Sequence, residues 1–557
     1  MKIIKNITNS YRKIASGIAI VAFLTLMYFA LIPGGTAALS YVTTASGDPI
    51  IGAIVKLVDY PQYNATTSGV SGHEGEYSIN NVPYDAISGG STYTIRTRAT
   101  GYALNTTTVF INGPSATKNI VLTPGYKITA PGQIYGGPWR TNFLVGNLGP
   151  QSTTLDVNSI DLSGITRNNS EDVISSMASK DYNWFERVGA IEGSATITSE
   201  QLIDAVTLQR SSSQGKIGFF EGTPLNIEKT QWFMPGMIFS GQWRSGFKTL
   251  NLGTIDADVT MYFYNSTGVL INTITRTIPP NTAPYIDWYT YGLVASGNSP
   301  QAAEGTVTIV SNNAQPLSVT ASQASETAGK FGFWNGIYLN DQKTDVFVTG
   351  QLWNNPAWRS GFKVANIGSV DADVTMYFYN SAGTLINTVN RIVSPKASPY
   401  FDWYTYGFAP SGNVASDGTV RVVSNNGTPI YVVESQASEV PGFIDFYQGV
   451  EINGNNTAGL ISLKFGGGER SGFKIANPGN SPITATIKFY NATGVLLRTE
   501  TGFSVPAKGS PYLAWNSYTT EPSGSVTVEA TGRISVTVSF ASDTESKMGM
   551  FKGIAGQ

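Results

Sequence analysis

The chain has 557 residues, 41% hydrophobic and only 13% charged, with 35 basic and 37 acidic side chains and a formal net charge of −2. That length predicts several folded domains, and the absence of any large Lys/Arg cluster excludes a nucleic-acid partner, whose counterions only clustered cations displace. No cysteine is present, which excludes disulfides, thiolate chemistry and cysteine zinc sites, while 60 glycines and 27 prolines suit an all-β chain with many turns.

Lys2, Lys5, Arg12 and Lys13 precede an apolar run over 14–32, and Pro33, Gly34, Gly35 and small residues follow. Basic flank, apolar centre, breaker and small residues predict a signal peptide over 1–38, cleaved near Ala37 or Ala38. The same run nearly spans a bilayer core of about 30 Å, so a retained anchor is the alternative. Either way the chain beyond Ser40 is expected to be extracellular or on the cell surface. It would touch the membrane only through 14–32, if that segment stays uncleaved.

Residues 39–125 read as strands divided by turns. Tyr93, Ile95 and Thr97 alternate with Thr94, Arg96 and Arg98, the period of a strand with one buried face. Gly47, Pro49, Gly52, Ala53 and Val55 are followed by Gly75, Tyr77 and Ile79, then Val82-Pro83, Tyr93, Ile95, Ala99, Gly101 and Tyr102. In order and spacing this stretch resembles the carboxypeptidase regulatory-like domain, a transthyretin-like β-sandwich. The resemblance covers about a sixth of the chain and implies an accessory, non-catalytic module of secreted and surface proteins. A generic immunoglobulin-like sandwich is the other reading.

The remainder is repetitive. Trp243-Arg-Ser-Gly-Phe-Lys248 recurs from Trp358 to Lys363 and from Glu469 to Lys474, with a weaker copy from Trp139 to Leu144. An Asn-x-Gly follows each copy, beginning at Asn147, Asn251, Asn366 and Asn477. The Phe positions, 143, 247, 362 and 473, lie 104, 115 and 111 residues apart, the size of a self-sufficient sandwich rather than a solenoid unit. The expected boundaries are 126–230 for a divergent first repeat, 231–345, 346–455 and 456–557, arranged as beads in a row. Val259, Met261 and Phe263 share one strand face, as do Val374, Met376 and Phe378, and Ala485, Ile487 and Phe489. Turns at Asn265–Gly268, Asn380–Gly383 and Asn491–Gly494 return each strand as a hairpin. The first repeat lacks that hairpin sequence between Ser152 and Val206, and Ser175 to Ser179 reads there as a short helix. The fold class is therefore all-β, five tandem β-sandwich modules behind one hydrophobic segment.

Chemistry is sparse. His73 is the single histidine and stands in a glycine-rich turn, without the partners a base or metal site needs. Asp256/Asp258 and Asp371/Asp373 recur as turn residues, but Ser481-Pro-Ile replaces them in the last repeat. No catalytic residue, metal or cofactor is expected. Tyr285-Ile-Asp-Trp288 recurs as Tyr400-Phe-Asp-Trp403 and Tyr512-Leu-Ala-Trp515. Tyr and Trp suit sugar rings and protein interfaces, so these six aromatics are candidate carbohydrate or partner contacts, with core packing as the plain alternative. Arg beside Trp139, Trp243 and Trp358 suggests a cation–π contact. Asn64, Asn105, Asn168, Asn265, Asn426, Asn455 and Asn491 begin glycosylation sequons, Asn265 and Asn491 at hairpin tips. The expected role is structural or adhesive, through modules acting as spacers and contact surfaces. Expected partners are cell-envelope components or glycans, with self-association open. A carbohydrate-binding protein is the alternative.

Overall fold

A computed structural model describes residues 34–557 apart from 38–39, 81, 84–88, 100–101, 113–114, 135–138, 190, 212–215, 225–228, 241–242, 294–303, 326–329, 355–357, 408–416, 439–442, 449, 452–454, 543–546, 553 and 556–557. The apolar run over 14–32 lies outside the described residues. Among those described, no helix is long and apolar enough to cross a membrane. Two compact units divide the chain, 1–125 and 126–557.

The first unit is a sandwich. Ile54–Leu57 and Ser91–Arg98 pair at the centre of a four-stranded sheet, flanked by Asn64–Thr66 and Asn105–Ile111. Opposite lie Ser40–Thr43, Glu76–Tyr77 and Ile120–Val121. Val42, Val55, Leu57, Tyr77, Ile95, Ile111 and Ile120 fill the space between. Tyr93, Ile95 and Thr97 do point inward, as their alternation requires. Gly34–Ala37 is itself a strand, paired with Val82–Pro83 and Ser115–Ala116.

In the second unit each repeat folds one five-stranded sheet over one four-stranded sheet, and every sheet closes within its own repeat. In the second repeat, Leu270–Ile278, Ala257–Asn265, Glu304–Ser311, Gln231–Ser240 and Ile337–Tyr338 form the first sheet. Tyr285–Asp287, Trp243–Asn251, Leu317–Ser325 and Phe331–Asn335 form the second. The two share a corner, where Phe239 and Ser240 pair with Arg244 and Trp243.

Two buried side chains explain the recurring motifs. Asn251 of Asn-x-Gly is fully buried; its amide donates to the carbonyls of Ile255 and Ile278, both at 2.8 Å, and its oxygen accepts from Gly253 N at 2.8 Å. Asn366 repeats this with Val370, Val393 and Gly368, and Asn477 with Ser481, Val505 and Gly479. The second is a tryptophan. Trp184, Trp288, Trp403 and Trp515 are each 0% exposed. Each indole lies on a strand glycine, Gly193, Gly305, Gly418 or Gly524, where a methyl would collide with the ring. Phe263, Phe378 and Phe489 pack beside three of them, ring centroids 5.9 Å apart each time.

The first repeat differs from expectation. Thr153–Asp161 and Thr166–Ile174 form the hairpin that its sequence conceals. Asp161 does the work of the turn asparagine, accepting from Ser163 N and Ile165 N, and Gly164 takes the positive φ of 77°. Ser175–Ser179 is not a helix. A helical turn lies instead at Trp184–Val188, capped by Asn183.

The four repeats are not a string. Each hairpin tip docks on a turn of the next repeat: Gly164 against Pro280, Gly268 against Pro395, Gly383 against Ala507, and Gly494 back against Ser176 of the first. The receiving turn holds a non-glycine residue in the left-handed region, Asn281 (φ 59°), Lys396 (φ 62°), Lys508 (φ 58°) and Met177 (φ 58°). Three of those carbonyls accept a hydroxyl from the preceding repeat: Thr306 to Lys396 at 2.6 Å, Thr419 to Lys508 at 2.6 Å and Ser525 to Met177 at 2.5 Å. Around the centre, Lys216–Glu221, Phe331–Asn335, Phe443–Gln448 and Lys547–Lys552 approach one another in turn, and the last approaches the first. The unit is a closed ring of four sandwiches, which overturns the row of beads. Docking removed the geometric freedom that a linear arrangement assumes.

Two substitutions test this packing. Asn366→Ala strands buried carbonyls and is expected to cost about 2–4 kcal/mol in denaturant titration. Gly383→Ala places a methyl in the left-handed region against Ala507 and is expected to cost about 1–3 kcal/mol. The matching change at Gly427, also at positive φ but with open space around it, should cost about 1 kcal/mol, the backbone share alone.

Candidate functional site

The seams between repeats are where polar chemistry collects. Each of the first three repeats interrupts a strand pairing with a bulge that holds a glycine at positive φ, Gly132, Gly236 and Gly350. The next repeat sends a lysine to the same seam: Lys248, Lys363 and Lys474. Lys248 pairs with Glu192, Lys363 with Glu304 at 2.8 Å, and Lys474 stands 3.6 Å from Asp417. Lys248 and Lys363 also lay their stems over the bulge glycine behind them.

The fourth seam, where the last repeat meets the first, is built differently. Leu144 replaces the lysine, Ser523 replaces the acid, and Ile461-Ser462 replaces the Pro-Gly or Thr-Gly of the bulge. Leu144, Val206 and Leu208 join Leu460, Ile461 and Leu463 in one core, and Phe219 packs on Phe540 at 4.9 Å. Arg210 and Glu469 pair at its margin at 2.7 Å. Removing both charges together avoids the cost of a single buried ion without its partner.

The predicted aromatics divide by this geometry. Trp288, Trp403 and Trp515 are core, so they are corrected as contact residues: each indole is needed to fill the space over its glycine. Tyr285, Tyr400 and Tyr512 are about half exposed, at 55%, 49% and 54%. Their rings stand at the seams while each hydroxyl lies against a strand glycine, Gly246, Gly361 or Gly472. Burial of that hydroxyl raises the Tyr400 phenol to about 12, offset in part by the Ser435 hydroxyl. The structure does not bring Tyr and Trp together on one platform. The expected Arg–Trp pairing is also rearranged: Arg244 lies over Phe239 at 5.9 Å, Arg359 over Trp353 at 5.5 Å, and Lys330 over Trp243 at 5.7 Å.

The sequon asparagines are scattered. Asn64, Asn426 and Asn455 are exposed. Asn105 donates to Val121, and Asn168 accepts from Arg187. Asn265 and Asn491 fold their own turns by accepting backbone N–H groups, and their tips are docked on the next repeat rather than free. His73 accompanies Glu76 at 2.6 Å in its exposed turn. Asp258 donates its backbone N–H to Asn313 and starts a strand, a structural place matching that of Asp373 with Asn426.

The cleft between the third and fourth repeats encloses about 520 Å³, lined by Asp417, Gln436, Lys474, Tyr512, Asn516 and their neighbours. The corresponding cleft between the first and second is about 350 Å³ and crowded by Trp139, Phe220, Phe331 and Phe333. Behind the larger cleft, Glu434 is 0% exposed. Its burial holds the carboxyl well above the usual carboxylate range, and Lys474 opposes that only in part.

No family model and no curated protein matches this chain. Among solved structures, a Thermotoga maritima protein is 12% identical over 19% of this chain and 97% of its own, with a TM-score of 0.17. FlgD from P. aeruginosa is 17% identical over 19% of this chain and 90% of its own, with a TM-score of 0.12. The serine-rich repeat protein Srr2 from Streptococcus agalactiae is 11% identical over 42% and 84%, also with a TM-score of 0.12. At such TM-scores these likenesses carry no argument.

Glu434 gives a pH test with a defined sign. A carboxyl whose pKa is raised by folding adds stability below its unfolded value, near pH 4, and loses it as pH rises toward the folded value. Glu434→Gln removes that loss. The variant is expected to melt higher than the parent at pH 8, the gap narrowing to nothing near pH 4, by calorimetry across that range.

Proposed function

We propose that this is an exported, non-enzymatic surface protein whose ring of four β-sandwiches serves as a structural or adhesive platform. The observation that carries the reading is where the repeated polar residues go. The Asn-x-Gly amides, the turn asparagines and the Lys248–Glu192 and Lys363–Glu304 pairs are spent on clasping strands and joining repeats. What repeats in this chain therefore serves architecture, and contact with partners falls to the outward surface and the seams.

Export rests on the basic start and the apolar run over 14–32. Residues 39–125 are proposed as the accessory carboxypeptidase regulatory-like module, a reading supported by the two facing sheets and by inward Tyr93 and Ile95. Pairing of Gly34–Ala37 within that unit favours a mature chain that keeps these residues, whether by a retained anchor or by cleavage upstream. N-terminal sequencing of protein from the cell envelope is expected to find an intact start, or one at or before residue 34. Protein confined to the cytoplasm would overturn export, and a start at 38 or 39 would overturn the retained strand.

A further inference from the structure

We propose that the cleft between the third and fourth repeats binds a neutral glycan. The inference deepens the surface-platform reading and rests on it. Two departures from the repeat pattern fall in this one cleft. The seam acid is glutamate in the first two repeats, Glu192 and Glu304, but Asp417 in the third. An aspartate reaches one methylene less, so Lys474 stands 3.6 Å from it, beyond hydrogen-bond distance, and the buried ammonium has no hydrogen-bond acceptor among the described residues. The second departure follows the core tryptophan. That position holds Phe185, Tyr289 and Tyr404 in the first three repeats and Asn516 in the fourth. Tyr289 packs tilted against Phe239 at 4.6 Å and Tyr404 against Trp353 at 4.3 Å, whereas exposed Asn516 leaves that space open and brings an amide to the cleft wall.

The two changes widen and polarise the same space, and its volume of about 520 Å³ is in the range of small-molecule sites. The chemistry of the wall selects the ligand. A hydroxyl accepts from Lys474 and donates to Asp417 at once. An anion would be repelled by Asp417, and a cation by Lys474 and by Arg470, an exposed guanidinium of the same wall that already has a partner. Gln436 and Asn516 offer further groups that both donate and accept, and the half-exposed Tyr512 ring offers an aromatic face to sugar C–H groups. Several adjacent hydroxyls on an apolar ring, with no net charge, are what this wall pairs with.

The full chain should be titrated by calorimetry and saturation-transfer NMR with neutral mono- and disaccharides of glucose, galactose, mannose and N-acetylglucosamine, and with glucuronate and a sulfated sugar as charged probes. At least one neutral sugar is expected to bind saturably and in preference to both charged probes. Asn516→Tyr and Asp417→Glu restore residues that sister repeats already hold, so both variants should melt like the parent. Each is expected to weaken binding by about tenfold or more, from lost hydrogen bonds and a refilled cleft. Absence of neutral-sugar binding, preference for a charged probe, or binding indifferent to both substitutions would overturn the inference. None of these results bears on export, which N-terminal sequencing and fractionation read separately.

Discussion

Everything in the larger unit depends on one docking geometry: a glycine tip of one repeat seated on a left-handed turn of the next, four times around. Head-to-tail contacts of this kind generate an open filament unless the rotation per step closes. Here it closes, because Gly494 of the last repeat meets Ser176 of the first as Gly383 meets Ala507. Closure then sets the chemistry of the seams. It brings four edge strands around a common centre, which shields edges that would otherwise pair with other chains. It also makes each seam intramolecular, so modest contacts suffice to hold it.

The seams are nonetheless unequal, and the inequality has physical content. Three carry a lysine and an acid, and the closing one carries Leu144 and Ile461 in a continuous apolar core, with Ser523 in the place of the acid. Lys248 or Lys363 could not enter the closing seam without leaving a cation against leucine and isoleucine. Leu144 could not enter the others without stranding an acid. The arrangement gives the ring one order of repeats, with the last repeat beside the first.

The strand pattern was legible because it is local. Val259, Met261 and Phe263 point inward by simple alternation, and Gly268 marks its turn. The hairpin in the first repeat was hidden because Asp161-Leu-Ser-Gly164 does with a carboxylate what Asn265-Ser-Thr-Gly268 does with an amide, and its strands are polar. Trp184 is legible only by register, because Asp181-Tyr-Asn-Trp184 takes the place of Tyr285-Ile-Asp-Trp288 with different residue types before the tryptophan. The ring was not legible: Thr419 and the Lys508 carbonyl are far apart in sequence, and neither looks unusual alone. Trp288, Trp403 and Trp515 misled because recurrence of an aromatic reports packing as readily as recognition. For the candidate site the informative signals were the departures, Asp417 among glutamates and Asn516 among aromatics.

Ring closure is tested most directly by pulsed electron paramagnetic resonance between spin labels on Val495 at the last tip and Ser175 beside its receiving turn, both exposed positions in a chain with no native cysteine. The closed ring predicts one narrow distance distribution below about 30 Å, two labels on facing surfaces. Four sandwiches in line, each with a radius of gyration of about 13 Å, would instead put the labels on the order of 100 Å apart, and such a distribution would contradict the account.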